Sequence, residues 1–235
     1  MNESTLYQHG TLALLVPGLL TGTLTMKELL AHGDTGIGTG EGLDGELIIL
    51  DGKPYQVNSR GEVNVVSDEF TLPFANSHFA AYRPLMTVEN ATQEELHDQV
   101  LGLTHDNNTF FSILVKGTFT DVKTRAVAKS GRPFKSLAET AKNQSVFDRK
   151  EVAGTLLGYY SPQLFDGAAV GGYHDHFLAD THDFGGHLLG FGTVTGDVLV
   201  QTFSTLEQHL PVDNAAYREH DFSKDDITSV IHQAE

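Results

Sequence analysis

Tyr173-His174-Asp175-His176-Phe177, followed by Gly185-Gly186-His187, is the stretch whose residue types and spacing are best suited to chemistry. Side chains alternate faces along a strand, so His174 and His176 share one face while Tyr173, Asp175 and Phe177 share the other. Two imidazoles on one face can serve one divalent ion. Residues 179–184 let the chain return, Gly185-Gly186 permits a close backbone approach, and His187 opens the next strand, from which a third imidazole can reach in. Three protein ligands with an open position are the pattern of a catalytic metal site rather than a closed structural one. The same residues also fit a polar pair on a half-exposed strand, because 12 histidines are spread over 235 residues. His182, in the connecting loop, reads as solvent-exposed.

Two further constellations stand apart from the histidines. Residues 36–46 run GIGTGEGLDGE, and Gly40, Gly42 and Gly45 satisfy G-x-G-x-x-G. A dinucleotide fingerprint follows a strand and opens a helix, whereas this stretch follows a helical pattern and leads into a strand. Glu41 and Asp44 would also repel a pyrophosphate. The readings left are a flexible polar loop, or a glycine-rich loop that presents Thr39 and Glu46 to a site. Arg125, late in a β-type run, is either a solvated edge charge or a guanidinium that holds a carboxylate through two parallel hydrogen bonds. No G-x-S-x-G elbow is present.

The elements that must position these groups are mostly strands. Residues 46–50 and 54–58 flank Asp51-Gly52 and read as a hairpin with a D-G turn. Further strands are expected over 63–66, 110–127, 156–160, 172–178, 187–195 and 198–206. Helices are short and few. T-x-x-E or S-x-x-E capping boxes open them at Thr25/Glu28, Thr92/Glu95 and Ser136/Glu139, with Gly33 placed as the C-cap of the first. A fourth is expected over 225–234. Strict β-α-β alternation is missing, which argues against a doubly wound parallel sheet.

Composition bounds the partners. With 40% apolar and 9% aromatic residues the chain can build a core. It has no Cys, so disulfides, thiolate metal sites and a Cys nucleophile are excluded, and the composition fits a reducing cytoplasm. A formal charge of −16, from 31 acids and 15 bases without a basic cluster, argues against a nucleic-acid partner. Such a field also repels anions, so a site for an anionic substrate has to supply its own positive charge. No run of 18 apolar residues suggests a membrane span. The stretch 12–20 is broken by Pro17-Gly18 and preceded by Glu3 without a base, so no signal peptide is expected.

TLYQ, KELLAHGDTGIGTGEGLDGELIILDGKPYQ, LPFANSHF, VKGTFTDVKTRAV and GTLLGYYSPQLFDGAAVGGYHDHFLADTHDFGGHLLGF together resemble bacterial α-acetolactate decarboxylase, in the same order over nearly the whole chain. The resemblance implies an α+β, β-rich fold: a mixed N-terminal sheet domain over residues 1–130 packed against a C-terminal β-barrel domain over residues 131–235 that carries the metal site, usually as a homodimer. It implies conversion of 2-acetolactate to (R)-acetoin and CO2. It further implies one Zn2+ held by His174, His176 and His187, with no organic cofactor. Arg125, Glu46 and Thr39 match the family's catalytic positions. A C-terminal glutamate is also expected; Glu235 is the candidate, with Glu219 and Asp226 nearby in sequence. The phenylalanine expected after Gly-Thr in the glycine run is Gly40 here. Alternatives are a metal-dependent lyase acting on a related 2-hydroxy-3-keto acid, or a cupin-like metal enzyme, whose H-x-H is normally followed by a glutamate ligand that FLADTHD lacks.

Overall fold

The computed structural model describes residues 3–234. A seven-stranded sheet runs in the order Thr205–His209, Thr5–His9, Phe74–His78, Thr35–Thr39, Glu46–Leu50, Lys53–Val57, Val63–Val65. Its first pair is parallel and the others antiparallel, so the sheet is mixed. The D-G turn forms as its residues demand: Asp51 and Gly52 take φ of 51° and 73°, the conformation of a two-residue hairpin whose twist suits the flanking strands.

The second sheet is built on two 17-residue strands, Phe110–Ala126 and Ser145–Ser161, paired antiparallel along their length. Gly172–Ala179 pairs with the latter, Gly185–Gly190 with Gly172–Ala179, and Phe110–Ala126 closes the circuit by pairing with Gly185–Gly190. Val194–Phe203 and Arg83–Ala91 extend it. The two sheets interleave along the chain. Arg83–Ala91 and Phe110–Ala126 lie before residue 130 yet pair in the second sheet, and Thr205–His209 returns to the first.

Alternation along Phe110–Ala126 separates two cores. Phe111, Ile113, Val115 and Phe119 face an interior covered by Leu96 and Val100 of the helix Gln93–Thr104. Phe110 and Leu114 face Leu6, Ile37, Ile48 and Val57 of the seven-stranded sheet. Each such buried side chain contributes roughly 1.5–3 kcal/mol. The three capping boxes form at Thr25/Glu28, Thr92/Glu95 and Ser136/Glu139.

Several expectations are corrected. Gly33 is not a helix cap; the helix Met26–Leu30 ends on Ala31, and Gly33 instead lets two backbones meet, since a Cβ there would lie 2.4 Å from His78 N. The expected strand over 187–195 is two strands, Gly185–Gly190 and Val194–Phe203. The glycine run is not a loop throughout: Thr35–Thr39 is a fully buried central strand, and only residues 40–45 turn. Glycine reads locally as a loop signal, but Gly36 and Gly38 are needed because a Cβ would lie 2.2 Å from Asn76 O and 2.6 Å from Phe74 O respectively.

Candidate metal and active site

His174 and His176 project from Gly172–Ala179 on the face turned to the seven-stranded sheet, and His187 projects from Gly185–Gly190. His176 and His187 are direct cross-strand partners, and His187 is in turn the partner of Arg125. Three strands thus bring His176, His187 and Arg125 into one row. Gly186 makes the row possible: its φ is +128°, and a Cβ there would lie 2.5 Å from Arg125 O. The three imidazole centroids are 5.1, 5.1 and 5.5 Å apart, and one ligand nitrogen from each lies within 4.8 Å of the others.

The seven-stranded sheet supplies the opposite wall. Glu46 and Thr39 are cross-strand partners at the end of their hairpin, and both are buried. Thr39 Oγ1 donates to Gly45 O at 2.8 Å, which ties down the turn leading into Glu46. Glu46 Oε2 lies 3.8 Å from His176 Nε2. One residue on, Leu47 O stands 2.9 Å from His176 Nδ1. A carbonyl can only accept, so Nδ1 carries the proton and Nε2 presents its lone pair to the cavity. Burial, then the neighbouring His174, and also Arg125, hold the His176 pKa well below the ordinary imidazole value. The ring is therefore neutral, the form that ligates metal. His176 Nε2 is buried and has no hydrogen-bond partner among the described residues. Such an atom costs free energy unless a ligand takes it up.

His174, His176, His187, Arg125, Glu46 and Thr39 all line one cavity. Its other wall is apolar: Leu12 and Leu15 from the helix Leu12–Leu15, Leu137 and Ala141 from Leu137–Ala141, with Leu43, Phe74 and Val127. Ile231 and Ala234 of the helix Ile227–Ala234 pack into the same apolar cluster, so the C-terminal helix ends beside the cavity wall. Glu235 lies outside the described residues. Glu219 and Asp226 are exposed and do not line the cavity. His182 is exposed and rests against Tyr55, apart from the three histidines. At Gly40 a Cβ would lie 2.4 Å from Phe70 Cζ, so the ring of Phe70 occupies the space a side chain at that position would enter.

Sequence reasoning missed two features. Leu47 acts through its peptide carbonyl, which leaves no side-chain signal; only its place directly after Glu46 hinted at it. The apolar wall comes from segments more than 100 residues apart, whose residues read locally as ordinary core.

Fold and site together define a β-rich protein with a small-molecule cavity whose three-histidine group can hold a metal ion. The chain belongs to the alpha-acetolactate decarboxylase family, whose model matches residues 6–224. It is 38% identical to the alpha-acetolactate decarboxylase of Streptococcus thermophilus, with 98% of each chain covered. A solved structure of alpha-acetolactate decarboxylase from Bacillus subtilis superposes with a TM-score of 0.92 at 30% identity, covering 99% of both chains. A Staphylococcus aureus protein described as similar to that enzyme superposes with a TM-score of 0.93 at 34% identity, covering 98% of this chain and 100% of its own.

Proposed function

We propose that the protein decarboxylates 2-acetolactate to (R)-acetoin and CO2, with one zinc ion held by His174, His176 and His187. The observation that carries this reading is the buried Nε2 of His176, which has no hydrogen-bond partner among the described residues and is set among two further imidazoles in a cavity that also contains Arg125 and Glu46. When bound, the ion supplies a Lewis acid that stabilises the negative charge left on oxygen as CO2 departs. The substrate is a β-keto acid and carries its own electron sink, so no organic cofactor is required.

The chain's own groups divide the remaining work. Arg125 binds the substrate carboxylate through two parallel hydrogen bonds and supplies the positive charge that a chain of net charge −16 otherwise denies an anion. Glu46 accepts the proton of the substrate hydroxyl, and Thr39, through its bond to Gly45 O, fixes the turn that sets Glu46 in place. Glu235 delivers a proton to one face of the carbon that has lost CO2; the C-terminal helix, packed beside the cavity wall, supports that role. Leu12, Leu15 and Phe74 keep bulk water from the reacting carbon.

The deciding experiment is to incubate the purified protein with 2-acetolactate, with and without a chelator, and follow CO2, acetoin and the chirality of the acetoin. Chelator-sensitive formation of the R product is expected; failure to release CO2 defeats the reading. The proposal extends to a cytoplasmic homodimer without nucleic-acid or membrane partners. No helix among the described residues is long and apolar enough to cross a membrane. Sedimentation at micromolar concentration, with a monomer as the opposing result, tests the assembly.

A further inference from the structure

His174 sits two residues before the point where the second ladder of its strand begins. Gly172–Ala179 is paired along its whole length with Ser145–Ser161, but on its other side only His176, Phe177 and Leu178 are paired. Residues 172–175, including His174, therefore have a ladder on one side only. A strand held on one edge retains torsional freedom that a metal ligand has to lose.

A side chain of a helix adds a restraint from behind. His97, on Gln93–Thr104, lies over the face opposite the three histidines and engages both neighbours of His174 at once. Its ring stacks on Tyr173 with centroids 3.7 Å apart and planes 7° from parallel. Its Nε2 is 2.9 Å from Asp175 Oδ2, and Tyr173 Oη donates back to His97 O at 3.2 Å. Asp175 is 4% exposed, and Gly158, its cross-strand partner, leaves it room: a Cβ there would lie 2.1 Å from Asp175 Oδ1. A buried carboxylate is costly where an apolar side chain would fill the same space. Its presence here, with a glycine opposite and an imidazole aimed at it, points to a requirement for orientation.

We propose that His97 is a positioning residue for His174: by gripping Tyr173 and Asp175 it fixes the backbone from which His174 presents its imidazole. The inference rests on the three histidines binding metal. Its test uses the full chain and the metal alone. His97→Leu keeps apolar bulk against Tyr173 but cannot donate to Asp175. Zinc affinity, measured by competition with a chromogenic chelator, is expected to fall at least about tenfold, as is usual when a group that orients a ligand is lost. The visible absorption of the cobalt-substituted protein should change as well. His97→Gln, which keeps an N–H for Asp175, should bind zinc more tightly than His97→Leu. A purely structural role would lower the unfolding temperature of the metal-free protein and leave these readouts in place. A loss smaller than about tenfold with an unchanged cobalt spectrum, or a Gln variant no tighter than the Leu variant, overturns the inference. A parent protein that binds no zinc overturns this inference and the metal reading together, so the two failures are distinguishable.

Discussion

His176 and Leu47 are joined across the two sheets by a 2.9 Å contact from the ring Nδ1 to the peptide carbonyl. The contact does two things. It fixes which nitrogen of His176 faces the cavity, and it ties the strand of the H-x-H pair to the strand that begins with Glu46. A candidate metal ligand and a candidate proton-transfer group thus share one rigid connection.

Loss of one ligand should abolish metal binding and turnover together. His174→Ala is expected to purify without stoichiometric zinc and to form no acetoin. Metal analysis showing full occupancy in that variant removes His174 from the site.

Arg125→Lys should separate binding of metal from catalysis. Lysine keeps the charge but cannot make the paired contact. Folded, metal-loaded protein is expected with turnover down about a hundred- to thousand-fold, the scale of roughly 3–4 kcal/mol. Rates equal to the parent's would show that the guanidinium does not touch the reacting substrate.

Glu46→Gln keeps the shape of the side chain and removes the base. Zinc content should hold while the maximal rate drops by about 10²–10⁴. A variant with unchanged rate assigns the proton transfer elsewhere.

Gly186→Ala tests the backbone approach beside the site. At φ +128° a Cβ meets Arg125 O at 2.5 Å, so strand separation or strain must follow. A cost of about 1–3 kcal/mol is expected, lowering the unfolding midpoint by several degrees at about 2–4 °C per kcal/mol. Calorimetry showing the parent's midpoint would contradict this geometry.

Acid should weaken the fold through His78. Burial depresses its pKa from 6.5 to about 3, while its Nδ1 contacts Tyr159 Oη at 2.8 Å. Between those values the unfolded chain binds a proton that the folded chain refuses, so stability rises with pH there and is lost as pH falls from 6.5 toward 3. The slope from this group approaches about 1.4 kcal/mol per pH unit. In denaturant titrations from pH 7 to pH 4, His78→Gln should flatten the dependence by that order; an unchanged slope would exclude His78 as the source.

Much of the site is legible in the order of residues, because its chemistry is periodic. The two-residue repeat of a strand places His174 and His176 on one face without reference to anything else, and paired Thr/Ser and Glu residues announce the helix starts through a local hydrogen-bond exchange. The glycine run misleads for the opposite reason. Gly36 and Gly38 are explained by neighbouring backbone more than 30 residues away, which no local pattern contains. Likewise, nothing along the chain sets Arg125 beside His187, or Leu47 against His176, or His97 behind His174. Cross-strand register, and the packing of one sheet on the other, decided those. Residue types and spacing determined which groups could do the chemistry; long-range pairing alone decided that they meet.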